Sequence, residues 1–177
     1  MKHQKGKKCC SVCSLRSELS RIRLPYLIGG AVIVLLGGFC SSLCGSGTMM
    51  FRRMFETPSF TPPGFLFPIV WTVLYLLIGA AAGSALSIRE PCAGDDKTRG
   101  ILLFAVMIIF NYVWYPLFFC SFSFFAALID IAAMIVLTYF IFIYFRRFCR
   151  ICALAFIPYF LWLVFAFILN LAVILLN

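Results

Sequence analysis

Long uncharged runs alternate with short charged clusters along this chain, and the run lengths set its architecture. Residues 24–51 carry no charge, and neither do residues 57–88. The 46 residues from Gly100 to Phe145 hold a single charge, Asp130, and nothing after Arg150 is charged. A membrane-spanning helix needs ~20 apolar residues. One helix of 46 residues would be about 69 Å long at 1.5 Å per residue. That is more than twice the ~30 Å hydrocarbon core, so this run must hold two spans. The break falls at Phe119-Cys120-Ser121-Phe122-Ser123, just after Pro116. The pattern predicts five helices, at about 25–44, 64–88, 101–118, 123–145 and 151–176. Residues 24–177 then form one all-α membrane domain behind an arm, residues 1–23.

The connections differ in kind. Gly45 to Thr61 is long for a tight bundle, and its Phe51, Phe55 and Phe60 supply apolar anchors. It is expected to be a loop that folds onto the bundle as a lid through Phe51 and Phe60; resting on the lipid headgroups is the alternative. Pro158 should kink the fifth helix or open a gap in its hydrogen bonds. An odd number of spans puts the arm, the second loop and the fourth loop on one side. They carry thirteen Lys or Arg against two, Arg52 and Arg53, on the other. By the positive-inside rule the N-terminus is expected to be cytoplasmic.

Composition agrees with the pattern. Of 177 residues, 64% are apolar and 12% charged, with a mean hydropathy of +1.06. Soluble domains are about half apolar and a quarter charged, so this chain needs lipid as its solvent. The net charge of +9 is concentrated at the arm, where seven Lys or Arg face one acid. Anionic lipid is its expected partner and nucleic acid is not, because a hydrophobic span follows and no aromatics interleave. Nine cysteines add two questions. Cys10, Cys13, Cys149 and Cys152 have the spacing of a two-pair zinc site, though Cys149-x-x-Cys152 also falls at a helix start. Metal is not the expected reading. The odd count and a reducing cytoplasm argue against structural disulfides.

Polar groups inside spans are costly and usually face the bundle interior. Trp71 and Tyr75 lie four apart and share a helix face. Asn111 and Trp114 lie three apart, and Trp162, Ala166 and Asn170 share one face of the last helix. Together they could line one cavity suited to a flat, largely apolar ligand. Alternatively Asn111 and Asn170 are interhelical hydrogen-bond glue. Asp130 is either a proton site or, the preferred reading, a structural partner for a neighbouring helix. Gly79-x-x-x-Gly83 is a small-residue packing face that would serve a dimer or an internal contact. No catalytic set is visible. The sole histidine, His3, sits in the arm, and no paired carboxylates or nucleophile-base pair occur. Arg150, Phe156 and Leu161 fit the reversed form of a short cholesterol pattern that hydrophobic chains often match by chance.

These motifs resemble the translocator protein family, also called tryptophan-rich sensory proteins or TSPO/MBR proteins. The resemblance is carried by Pro58-Ser59-Phe60-Thr61-Pro62-Pro63 with Phe67-Pro68-Ile69-Val70-Trp71-Thr72-Val73-Leu74-Tyr75. It continues in Phe110-Asn111-Tyr112-Val113-Trp114 with Pro116-Leu117-Phe118-Phe119, in Ala127-Leu128-Ile129-Asp130, and in Pro158-Tyr159-Phe160-Leu161-Trp162 with Phe165-Ala166 and Leu169-Asn170. It implies a five-helix bundle of the TSPO type, often a homodimer. It further implies an integral membrane binding protein for tetrapyrroles, sterol-like molecules and related flat ligands, acting in sensing, sequestration or transport. The ligand site it implies comprises Trp71, Tyr75, Asn111, Trp114, Trp162, Ala166 and Asn170. No cofactor is required by this reading; porphyrin or a haem-like molecule is the ligand. Light-dependent porphyrin breakdown would fall to Trp71 and Trp162, and a scaffold acting through Gly79 and Gly83 is the third class. The family usually has Trp where this chain has Phe51, Phe60 and Phe65, which favours binding over chemistry. The animal cholesterol motif at the end of the fifth helix is absent. The expected membrane is a bacterial inner membrane first and a mitochondrial outer membrane second.

Overall fold

The computed structural model describes residues 22–41, 43, 46–88 and 94–177, with the backbone alone at 46 and 47. The arm up to residue 21 lies outside the described residues, as do Cys10 and Cys13. Among the described residues all regular structure is helical. Helix α1 is Leu24–Ser41, α2 is Ser46–Met54 and α3 is Leu66–Ser87. Helix α4 is Gly94–Tyr115 and runs into a π-helical turn at Pro116–Cys120. Helix α5 is Phe124–Arg146, α6 is the short Arg150–Leu154 and α7 is Phe156–Leu176. Five of these segments are long and apolar enough to cross a membrane, with the π turn continuing α4 and α6 leading into α7. The five-span pattern therefore describes the chain.

Two boundaries move for physical reasons. Helix α4 begins at Gly94 rather than near 101, because Asp95 and Asp96 in its first turn suit the positive end of the helix dipole. The Gly45–Thr61 segment, expected to be a loop, contains the nine-residue α2, and Arg52 and Arg53 in its last turn complement the dipole's negative end. Pro158 interrupts the fifth span as expected: it has no N–H to donate to Leu154 O, and the span is divided at Ala155 into α6 and α7.

The break after Pro116 is as expected, and its construction is specific. Ser121 N donates to Pro116 O at 2.9 Å and Ser123 N to Leu117 O at 3.0 Å, wider rings than an α-helix makes. Phe122 follows with φ +51°, the left-handed region that a bulky residue rarely adopts. Its ring is held 5.3 Å from Phe55 on the lid side.

Helices α1 and α3 pack most closely. A Cβ on Gly79 would lie 2.6 Å from Gly30 O and 2.8 Å from Ala31 Cα, and one on Gly83 would strike Tyr26 O. Gly30 in turn faces Gly79 and Gly83. Of the two uses left open for Gly79-x-x-x-Gly83, the structure employs the internal one: α1 of the same chain fills the face. The charged end of the bundle is fixed mostly by caps. Lys97 Nζ donates to Leu86 O at 2.8 Å and Ile88 O at 2.6 Å, satisfying carbonyls at the end of α3. The exposed Arg147–Asp96 pair at 2.8 Å adds at most ~1 kcal/mol.

Between α5 and α6, Cys149 and Cys152 form a disulfide with Cα atoms 5.3 Å apart. This corrects the expectation of no structural disulfide. The chain reversal brings both buried sulfurs to one helix start, where Cys149 Sγ also accepts from Cys152 N. Two thiols bonded to each other are not available to a zinc site.

Candidate functional site

The helix pattern turns Trp71 and Tyr75 inward from α3, with ring centroids 5.4 Å apart. Around Trp71 stand Trp114 from α4 at 6.2 Å, Trp162 from α7 at 6.4 Å and Tyr159 from α7 at 6.4 Å. Phe67 closes on Trp162 at 5.9 Å. These distances are ordinary for aromatic packing. The chain's three tryptophans, spaced far apart in sequence, therefore share one box inside the bundle.

Glycines on α1 make room for two of the rings. A Cβ on Gly38 would overlap the Tyr75 ring, and one on Gly37 the Tyr112 ring. Tyr112 then reaches Val34 O at 2.9 Å.

A line of hydrogen bonds backs the box. Tyr75 OH donates to Asn111 Oδ1. Asn111 Nδ2 donates to Tyr159 OH at 2.7 Å, and that hydroxyl donates onward to Met134 Sδ at 3.7 Å. Asn111 thus ties α3, α4 and α7 together at the wall of the aromatic box. It bonds between helices and stands beside the box at once.

Asn170 does not join it. With its amide oriented to satisfy both ends, its nitrogen donates to Phe124 O at 3.2 Å and its oxygen accepts from Leu128 N at 3.1 Å. It is fully buried and bridges the first turn of α5 to α7. Of the two readings of Asn170, these bonds supply the interhelical one. Ala166 is buried on the same inward face of α7, in the core beside the box.

The α2 segment packs onto the bundle through Phe51 and Phe55, two of its three expected anchors, and not through Phe60. Phe51 is buried, 5.1 Å from Phe118, 5.7 Å from Phe119 and 5.8 Å from Phe124. Phe118 in turn stacks on Trp114 at 5.2 Å and 24°. An unbroken aromatic path runs from the lid to Trp71. Phe60 is 49% exposed and takes no part; Phe55 fills the place beside Phe51. Phe60 sits within the turn that Thr61 N closes on Pro58 O at 2.9 Å. Asn177 pins the lid from the α7 end, accepting from Glu56 N at 2.9 Å and donating to Glu56 O at 3.1 Å. An open groove of about 400 Å³, lined by residues including Glu56, Pro58 and Leu175, marks this seam.

Two features escaped sequence reasoning. Tyr159 is fully buried at the junction of rings and hydrogen bonds. Its spacing of three from Trp162 was the available signal. Asp130 was expected to pair structurally. Instead its Oδ2 is buried without a hydrogen-bond partner, as are the Nε1 atoms of Trp114 and Trp162. Leaving a buried polar group unpaired costs about 1–3 kcal/mol. Among the described residues no trio of His, Cys, Asp or Glu is placed to hold a metal.

The arrangement offers three indoles, two tyrosines and an amide under an aromatic lid, within a five-span bundle. The TspO/MBR family matches residues 30–176, which span all of these elements. The chain belongs to this family. It is 32% identical over 120 residues to the tryptophan-rich protein TspO of Chlorobaculum tepidum, covering 68% of this chain and 75% of that one. It is 32% identical over 152 residues to the tryptophan-rich protein TspO of Archaeoglobus fulgidus, covering 85% and 96%. To the translocator protein of Sus scrofa it is 29% identical over 161 residues, covering 84% and 89%. As a TspO/MBR protein it is a multi-pass membrane protein.

Proposed function

We propose that this protein binds tetrapyrroles and related flat hydrophobic ligands within the aromatic box, in a sensing, sequestering or transporting role. The observation that carries the reading is the convergence of Trp71, Trp114 and Trp162, from three helices, at 6.2–6.4 Å. A flat ring between two aromatic planes needs about 7 Å, twice the ~3.5 Å contact distance. Trp71 and Trp114, 6.2 Å apart and tilted by 35°, would have to part and turn toward parallel to admit one. Opening the lid at Phe51 frees Phe118 and, through it, Trp114. The tetrapyrrole is a ligand of the site and no cofactor is required.

Absorbance titration of protoporphyrin IX into the detergent-solubilised chain tests this. The Soret band should shift and saturate at one ligand per chain. Affinity should fall about tenfold in Trp162→Ala, as expected for losing ~1–1.5 kcal/mol of aromatic contact. A linear, unsaturable response refutes the reading. A second reading is light-dependent breakdown of the bound porphyrin. It is favoured by the direct contact of Trp71 and Trp162 at 6.4 Å. Illumination should then bleach bound porphyrin faster than free porphyrin, and equal rates dismiss it.

The N-terminal side is proposed to be cytoplasmic, supported by the thirteen-to-two distribution of basic residues. A bacterial inner membrane is proposed ahead of a mitochondrial outer membrane. A homodimer would have to use a face other than Gly79 and Gly83, which α1 occupies.

A further inference from the structure

The described core matches nearly every polar group it buries. Thr138 Oγ1 donates to Met134 O at 2.7 Å, Ser41 and Tyr112 bond to backbone carbonyls, and Asn111 and Asn170 each serve two partners. Three atoms depart from this rule: the Nε1 donors of Trp114 and Trp162 and the Oδ2 acceptor of Asp130. In hydrocarbon no water substitutes for the missing partners.

Asp130 is 6% exposed and lies on the inward stripe of α5 with Ala127 and Met134. Met134, one turn on, takes the Tyr159 hydroxyl. Asp130 therefore lies on the α5 face that meets Tyr159, whose ring borders Trp71 in the box. Asn170 makes the contrast at the same α5–α7 interface. A residue serving there as helix glue has both ends satisfied, and Asp130 does not. A carboxyl oxygen retains acceptor capacity in either protonation state.

We propose that Asp130 is a ligand-contacting residue, accepting a hydrogen bond from an N–H of the bound molecule, while the two indoles donate to its carbonyl or carboxylate oxygens. The site thereby selects flat heterocycles that carry an N–H donor together with an oxygen acceptor. This inference rests on the binding reading above and adds a polarity requirement to it.

A matched pair of tricyclic lactams provides the probe: phenanthridin-6(5H)-one and its N-methyl derivative. Binding to the full chain in detergent is read from tryptophan emission. The N–H compound should bind about tenfold tighter than the N-methyl compound, the order of one buried hydrogen bond. The ratio should fall to about one in Asp130→Leu. Equal affinity in the wild type, or an unchanged ratio in Asp130→Leu, overturns the proposal while protoporphyrin binding still stands. Failure of wild-type protein to bind protoporphyrin overturns both. The isosteric Asp130→Asn keeps the test open if the leucine variant does not fold. In infrared difference spectra of the wild type, a carboxyl band missing from Asp130→Asn should shift with the N–H compound alone. A band unmoved by that compound overturns the proposal as well.

Discussion

Asn111 is held between hydroxyls from two other helices, so its removal strands both Tyr75 OH and Tyr159 OH. Asn111→Ala should lower stability by about 1–3 kcal/mol, the cost of leaving buried polar groups unpaired. Thermal denaturation in detergent would show the fall, and an unchanged midpoint would mean these bonds contribute nothing. Individual residues were unevenly legible. The Trp71–Tyr75 pair was visible from its spacing alone, because helix periodicity dictates the shared face. Both readings of Asn170 stay open in the sequence because spacing gives a face, and one face of α7 meets both the box and the first turn of α5. Asp130 was misread because a lone intramembrane acid suggests a partner, and only coordinates show whether one exists.

At the level of elements, the closest packing is where side chains are smallest. Gly83→Val would drive its side chain into Tyr26 O, backbone that cannot move aside cheaply. A loss of about 1–3 kcal/mol is expected for overpacking, read as a lower denaturation midpoint, whereas a wild-type midpoint would contradict the α1–α3 contact. The glycine motif was legible in the sequence, but its partner was not, since α1 and a second chain would offer the same small residues. The lid behaves differently. Phe51→Ala removes contacts to Phe118, Phe119 and Phe124 without touching the tryptophans. Ligand dissociation should quicken about tenfold with association little changed, as affinity differences at one site reside mostly in the off-rate. Stopped-flow release of protoporphyrin measures it, and a wild-type rate would deny α2 a gating role. The α2 helix is not legible in the sequence because nine residues with Gly47 inside and Gly45 before them carry too weak a signal.

For the whole molecule, run lengths and charge placement were enough to give five spans, since the hydrocarbon thickness allows no other division of the uncharged segments. The same charge placement supports the proposed orientation. A single cysteine at Arg147, in a cysteine-depleted chain, should react with an impermeant maleimide only from the cytoplasmic face, and one at Thr57 only from the other. The reverse pattern would contradict the assigned topology. The site at the centre of the bundle was legible as a set of inward aromatics but not as a closed box, because helix rotation and lid placement are tertiary facts. All three tryptophans of the chain lie in that box, so intrinsic tryptophan emission reports on it alone. Titrating protoporphyrin IX into the wild-type chain should quench this emission saturably, with a midpoint matching the Soret shift. Emission that stays constant while the Soret band shifts would place the ligand elsewhere and contradict the account.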